Sequence, residues 1–279
     1  MLTAMEARSP SLVYVEPFQH SVCAITSLDD EVFIVCDQTS AVYDAVTFVS
    51  KRNISLPALS NKPYGIAAFA RNKCLYVSDF STYKIYMVYR VELSGSNTLT
   101  TWSVGMTSGR PRSLSVNKAY NLVVACDGRN KLQEYTTQGS LVRETWLQAG
   151  VTDLCHAIQL STGDYMVSQS TSPGVVSVVG EIGQVVHSYG LPQTSAVGQM
   201  KYPSSLAATK NDDILVADSG NNRIILFKRS TGCVQKLPLT VDGGIQHPHD
   251  LCLDESRGRL YVGEFLGQYR LLIFDGFKL

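Results

Sequence analysis

Tyr202-Pro203-Ser204-Ser205-Leu206-Ala207 is followed, after a turn at Asn211-Asp212, by Ile214-Leu215-Val216-Ala217-Asp218 and then by Ser219-Gly220-Asn221-Asn222-Arg223-Ile224. The stretch is a short apolar segment opened by proline, a second apolar segment closed by an acid, and a polar turn leading into a third. Its pieces return along the whole chain. Proline followed three places later by an apolar residue occurs at Pro63 with Ile66, Pro111 with Leu114, Pro203 with Leu206 and Pro248 with Leu251. Ser21 and Cys155 stand at the matching points of two weaker copies. Successive copies lie about 45 residues apart, a period that marks a repeat architecture.

A second marker keeps the same register. Fourteen to sixteen positions after each opening residue, an acid or amide closes an apolar run: Asp37, Asp79, Asp127, Gln169, Asp218 and Glu264. Helical spacing of apolar residues is nowhere sustained. Alternating or short continuous apolar runs bounded by Gly, Asn, Asp and Ser recur instead about every 8 to 12 residues, as in an all-β chain. The third copy resolves best, into segments 113–116, 122–126, 131–135 and 141–146. Four strands per unit at this period define a blade, so the expected fold is an all-β, six-bladed β-propeller. The sixth copy runs out after its third strand, 269–274, while Leu12-Val13-Tyr14-Val15 precedes the first copy without a blade of its own. That segment is expected to supply the outer strand of blade six and so remove the open edge of a linear array. The domain reading is a tail, residues 1–10, and one propeller, residues 11–279.

At 279 residues the chain can bury a substantial core within a single domain. Lys+Arg and Asp+Glu number 24 each, and charged residues make up 17% of the chain. No global bias therefore points to DNA or a membrane surface, and any contact with nucleic acid has to be local. The first ten residues lack the apolar centre of a signal peptide, and no run of about 18 apolar residues is present to span a bilayer. The seven cysteines, Cys23, Cys36, Cys74, Cys126, Cys155, Cys233 and Cys252, are odd in number and mostly set among apolar neighbours. This fits buried thiols in a reducing compartment better than disulfides or a zinc cluster, and a cytoplasmic protein is the expectation.

The segment Asp218-Ser219-Gly220-Asn221-Asn222-Arg223-Ile224, with Ile214-Leu215-Val216-Ala217 and Pro203 ahead of it, closely resembles the signature of the NHL repeat. Weaker copies are Asp79-Phe80-Ser81-Thr82-Tyr83-Lys84-Ile85, Asp127-Gly128-Arg129-Asn130-Lys131-Leu132, and the run from Glu264 to Leu271. Blade four departs most, with Gln169 in the acidic slot and no matching base, and blade one follows Asp37 with Gln38-Thr39-Ser40-Ala41. The acid ends the second strand and the base begins the third. A charge-assisted bond across that hairpin, such as Asp218 with Arg223, is read as a structural fastening and not as a metal site. The resemblance implies a propeller like those at the C-terminus of tripartite-motif ubiquitin ligases, which bind proteins or single-stranded RNA on one face. No RING or B-box pattern of Cys and His is present here, so ubiquitin transfer is not expected of this chain.

In such a ring, the loops leading into the inner strands and those joining second to third strands open on one face, where binding is expected. The residue after each opening position is expected at the channel mouth: Val22, Tyr64, Arg112, His156, Ser204 and His249. The second-to-third loops add Tyr83, Arg129, Asn130, Asn221, Asn222, Phe265 and Tyr269, and Arg110 and Lys131 join Arg112 and Arg129 on blade three. Aromatic anchors beside arginines suit protein recognition, so the expected function is a non-catalytic scaffold that binds a protein there without cofactor or metal. Single-stranded RNA is the second candidate, because blade three offers a modest basic groove with aromatics.

A metal-dependent lyase is the third. His156, in Cys155-His156-Ala157-Ile158, and His249, in Pro248-His249-Asp250-Leu251, resemble metal-ligand segments of peptidyl-α-hydroxyglycine α-amidating lyase. That resemblance implies a zinc held by three histidines. The third ligand would have to come from Tyr64 or His20, since His187 falls on an outer strand and His247 on a surface loop. A calcium site like that of sugar-lactone hydrolases would find mainly Asp250 and Gln159 on otherwise apolar inner strands. No Gly-x-Ser-x-Gly elbow or phosphate-cradling glycine loop is present.

Overall fold

Every side chain of Leu122–Asp127, the second strand of blade three, is buried, and so is every side chain of Ile214–Asp218, its counterpart in blade five. Successive residues of a strand point to opposite faces, so such a run needs a packed neighbour on both sides. A computed structural model describes residues 10–36, 40–54, 63–80, 86–93, 99–104, 110–190 and 198–277 and supplies both neighbours. Leu215 and Ala217 pack towards blade six, with Leu251, Leu260 and Val262, whereas Ile214 and Val216 pack towards blade four, with Met166 and Val176. Among the described residues, six apolar clusters repeat this arrangement, each lying between two neighbouring blades. Burial of apolar surface is thus spread around a ring, and the axis is left as a channel.

The described residues form six four-stranded antiparallel sheets arranged as a six-bladed propeller. Their inner strands are Val22–Leu28, Pro63–Phe69, Arg110–Val116, Leu154–Gln159, Pro203–Ala208 and Pro248–Asp254. In blade three the other strands are Leu122–Asp127, Lys131–Tyr135 and Leu141–Trp146, as the sequence pattern anticipates, while the inner strand begins three residues earlier than expected. No helix among the described residues is long and apolar enough to cross a membrane. None of the seven cysteines forms a disulfide; five are buried, Cys252 is half-buried and Cys233 is exposed. Residues 1–9, Asp37, Tyr83 and the side chain of Asp79 lie outside the described residues.

Ser11–Pro17 is the outer strand of blade six. It pairs antiparallel with Arg270–Asp275, from Ser11 opposite Asp275 to Pro17 opposite Arg270. The register slips between Leu12 and Tyr14, so these two turn to the apolar clusters on either side of the blade, while Val13 and Val15 are exposed. The strand covers the edge of Arg270–Asp275, where Leu272 and Phe274 are wholly buried. Deleting residues 1–17 should therefore lower the melting temperature by about 10 °C or more and promote association through the uncovered edge. Thermal melts with light scattering check this, and unchanged values would remove the strand exchange from the account.

Candidate functional site

All six inner strands share one irregularity near their start. The register slips by one between Val22 and Ala24, Pro63 and Gly65, Pro111 and Ser113, Leu154 and His156, and Pro248 and Asp250, and likewise between Pro203 and Leu206. A bulge of this kind sets two residues opposite one and re-aims a side chain. Two sets of equivalent positions result. The bulged residues are Cys23, Tyr64, Arg112, Cys155, Ser204 and His249; the next along each strand are Ala24, Gly65, Ser113, His156, Ser205 and Asp250.

This corrects the expected mouth in two blades. The opening positions of blades one and four are Val22 and Leu154 and not Ser21 and Cys155. Val22 is consequently wholly buried between blades one and six, so close that a Cβ on Gly263 would sit 2.6 Å from its Cγ1. His156 is not the equivalent of His249 but lies one step further along, level with Asp250.

Neighbouring inner strands belong to different sheets, so the backbone groups along their facing edges have no strand partner and must find another. Side chains near the mouth provide it. His156 Nδ1 accepts from the Leu206 N–H at 2.9 Å and lies 3.2 Å from Ser205 Oγ. Asp250 Oδ2 accepts from the Ile25 N–H at 2.6 Å. Ser115 Oγ donates to the Ala157 carbonyl at 2.7 Å, Ser21 Oγ to that of Phe265 at 2.7 Å, and Ser204 Oγ to that of Pro248 at 3.3 Å. Ser168, on the second strand of blade four, donates to the Ser204 carbonyl.

Burial sets the protonation of these groups. It depresses the pKa of His156 to about 4, against an opposing backbone hydrogen bond with Leu114. His249 is also depressed to about 4 by burial and by the charge of Arg112, with a backbone hydrogen bond to Cys23 opposing. Burial pushes the Asp250 carboxyl up to about 6, although Ser205 and the N–H groups of Ile25 and Leu251 favour its ionised form.

The acidic slots have a second duty besides the hairpin bond. Asp218 accepts from Arg223 Nε at 2.6 Å and from the Lys201 N–H at 2.8 Å; Glu264 accepts from Arg270 Nε at 2.7 Å and from the Gln246 N–H at 2.6 Å. Gln169 Oε1 accepts from the Thr152 N–H at 3.0 Å. In all three blades that N–H lies two residues ahead of the inner strand. The slot therefore pins the incoming loop, which an amide oxygen does as well as a carboxylate, and neutral Gln169 needs no base beside it. Blade three is wired differently. Asp127 takes Arg110 at 2.7 Å, with Arg112 Nη1 at 3.6 Å, both from the inner strand. Lys131 turns instead to Glu144 at 2.7 Å, under the Trp146 ring. It is 3% exposed, so the expectation that Lys131 adds to the binding surface is corrected.

Tyr64, Arg112, His156 and His249 do come together. With Cys23, Ser113, Cys155, Ser205 and Asp250 they border a space of about 20 Å³, and Tyr64, Arg110, Arg112 and Asp127 border a pocket of about 130 Å³. A channel space of about 330 Å³ continues between the inner strands past Ser115, Ala67 and Ala207. Phe265 stacks on His249, ring centres 4.6 Å apart. Arg129 is exposed on its own loop. Asn221 is tied to Asp218, Asn222 accepts from the His247 N–H, and the Tyr269 carbonyl accepts from the Phe18 N–H, so these three hold loops outside the mouth. Sequence reasoning missed Ser113, Ser205, Cys23 and Cys155, because a one-residue bulge leaves no trace in period-two patterning.

Residues 200–227 match the NHL repeat family. No curated protein sequence matches the chain. Among solved structures, the chain is similar to a protein of unknown function from Bacteroides thetaiotaomicron, with a TM-score of 0.74 at 12% identity, covering 96% of this chain and 72% of that one. It is similar to the PQQ-bound aldose sugar dehydrogenase of Streptomyces coelicolor, with 0.67 at 12% and coverage of 96% and 98%. A streptogramin B lyase gives 0.64 at 13%, with 94% and 97% covered. Likeness at such identities is one of fold. The repeat match and the six-bladed ring together support an NHL-type β-propeller.

The shifted groups make stability depend on pH in opposite senses. The Asp250 carboxyl, raised to about 6, burdens the fold with a buried charge above that pH, and acidification towards its unfolded value near 4 relieves it. The imidazoles, lowered to about 4, lose stability as pH falls from about 6.5, because the unfolded chain takes up their protons first. Asp250→Asn should therefore melt higher than the parent at pH 8 by an amount that shrinks through pH 6 and is gone near pH 4. His249→Phe should flatten the acid-side fall. Melts of the three proteins across this range check both, and a gain for Asp250→Asn that ignores pH would contradict the assignment.

Proposed function

We propose that the chain is a non-catalytic binding scaffold that recognises a protein partner through the loop face around the channel mouth. The observation that carries this reading is the use made of the polar side chains there. His156, Ser204 and Asp250 join backbone groups of neighbouring blades, so groups with catalytic potential are spent on holding the ring. His156 has one ring nitrogen on the Leu206 N–H and a second hydrogen bond to the backbone of Leu114, which leaves it no lone pair for zinc. Among the described residues, no three His, Cys, Asp or Glu side chains are grouped to hold a metal.

The outward-facing remainder is aromatic and cationic. Arg110 is partly exposed over Asp127, Phe265 lies against His249, and Tyr202 and Leu266 are 46% and 48% exposed on the same face. Such anchors suit a protein partner. RNA is less favoured, since Arg110 and Arg112 both turn towards Asp127 and little net charge is left for phosphates. The resemblance to tripartite-motif propellers fits a binding role with either class of ligand, and a likeness of fold to two enzymes carries no residue over.

Photo-crosslinkers at Arg129 and Leu266 should capture a protein in cells, whereas crosslinkers at Val46 and Tyr120, on loops of the opposite face, should not. RNA recovered at the first two positions would replace protein by RNA as the ligand class. Elemental analysis of protein purified without chelator should find metal far below stoichiometry. Zinc at one per chain that vanishes in the His156→Ala, His249→Ala double variant would overturn the scaffold reading and revive the lyase.

A further inference from the structure

The mouth carries donors and acceptors that the ring does not use. Two buried polar atoms bordering the same small space have no hydrogen-bond partner among the described residues: His249 Nδ1 and Ser113 Oγ. The His249 ring is held in place by its stack on Phe265 and by the backbone hydrogen bond with Cys23, which engages its other nitrogen. A neutral imidazole that donates through Nε2 presents a bare lone pair at Nδ1, and that atom can only accept. Arg112 borders the same space and can only donate. Ser113 can do either.

A group that satisfies both walls needs a donor and an acceptor side by side. A carboxylate or phosphate suits Arg112 but turns a second lone pair towards Nδ1. An ammonium suits Nδ1 but is repelled by Arg112. A trans peptide bond has its N–H and C=O on opposite edges. A primary carboxamide carries both on one edge. A nucleobase edge offers a similar pair, but its ring is broad for a space of about 20 Å³, which a slender terminal amide enters more readily.

We propose that the mouth binds a primary carboxamide, the side chain of a glutamine or asparagine on the protein partner. Arg112 donates to its carbonyl oxygen, His249 Nδ1 accepts from its amide N–H, and Ser113 meets what is left. This rests on the reading of the loop face as a protein-binding surface.

Acetamide, acetate and uridine are the probes, titrated into the full chain while imidazole ¹⁵N resonances are followed. Acetamide is expected to move His249 Nδ1 in the sense of an accepted hydrogen bond, with acetate weaker by roughly tenfold. Arg112→Met should weaken acetamide by about tenfold, as the loss of a charge-assisted bond requires. His249→Phe, which keeps an aromatic ring against Phe265, should abolish the preference for acetamide over acetate, with circular dichroism reporting that the fold is kept. Tighter binding of acetate or uridine overturns the proposal, as does a His249 resonance that ignores acetamide near its solubility limit. Protein crosslinks on the loop face with an unresponsive His249 overturn the carboxamide alone. Crosslinks to RNA alone overturn the scaffold reading whatever acetamide does.

Discussion

Six inner strands converge on one channel without pairing with one another, and most of what is unusual in this molecule answers that constraint. A strand edge that meets neither water nor another strand leaves amide and carbonyl groups unmet, at a cost comparable to a lost hydrogen bond for each. Serine, aspartate and histidine reach from one blade to the backbone of the next and remove the cost. That duty accounts for the location of a carboxyl as deep as Asp250, and burial there, against the pull of the N–H groups it accepts from, accounts for its reluctance to ionise. It also accounts for an imidazole that accepts from a backbone amide when its surroundings would suit a metal ligand.

The same economy governs the loops. Each chain segment entering blades four, five and six is pinned through one N–H by the residue that ends the second strand. It then passes through a left-handed residue, Asp153, Tyr202 or His247, immediately before the inner strand begins. A loop whose backbone is held at one residue and sharply turned at the next loses little freedom when it meets a ligand, so the face is pre-organised.

The ring could be read from the chain because two markers, proline at the opening and an acid at the close, recur in step, and because a second strand buried on both faces writes itself as an unbroken apolar run, as in Ile214–Asp218. The closing strand was legible too, as an unclaimed apolar segment facing a blade that is one strand short. The mouth was harder. Four of the six expected positions, Tyr64, Arg112, Ser204 and His249, fall on the bulge because those blades open with proline, although Ser204 is buried and does not border the space that the other three share. Blades one and four lack that residue, and without it the register is ambiguous by one place, enough to exchange Cys23 for Val22 and Cys155 for His156. Lys131 misled for another reason: its place in the repeat is that of Arg223, but Asp127 had already been claimed by arginines of the preceding strand, and the lysine found Glu144.

The pairing of Ser11–Pro17 with Arg270–Asp275 also sets an order of events in time. A ribosome makes the first of these strands roughly 250 residues before the second, and domains fold largely as they are made. Five blades can assemble from neighbours in sequence, but the sixth has to wait with its outer strand already synthesised and unpaired. An apolar strand held idle in this way is exposed to the wrong partner, including the same strand of a second nascent chain. The feature that closes the finished ring thus makes the interval before the sixth blade is complete its most vulnerable.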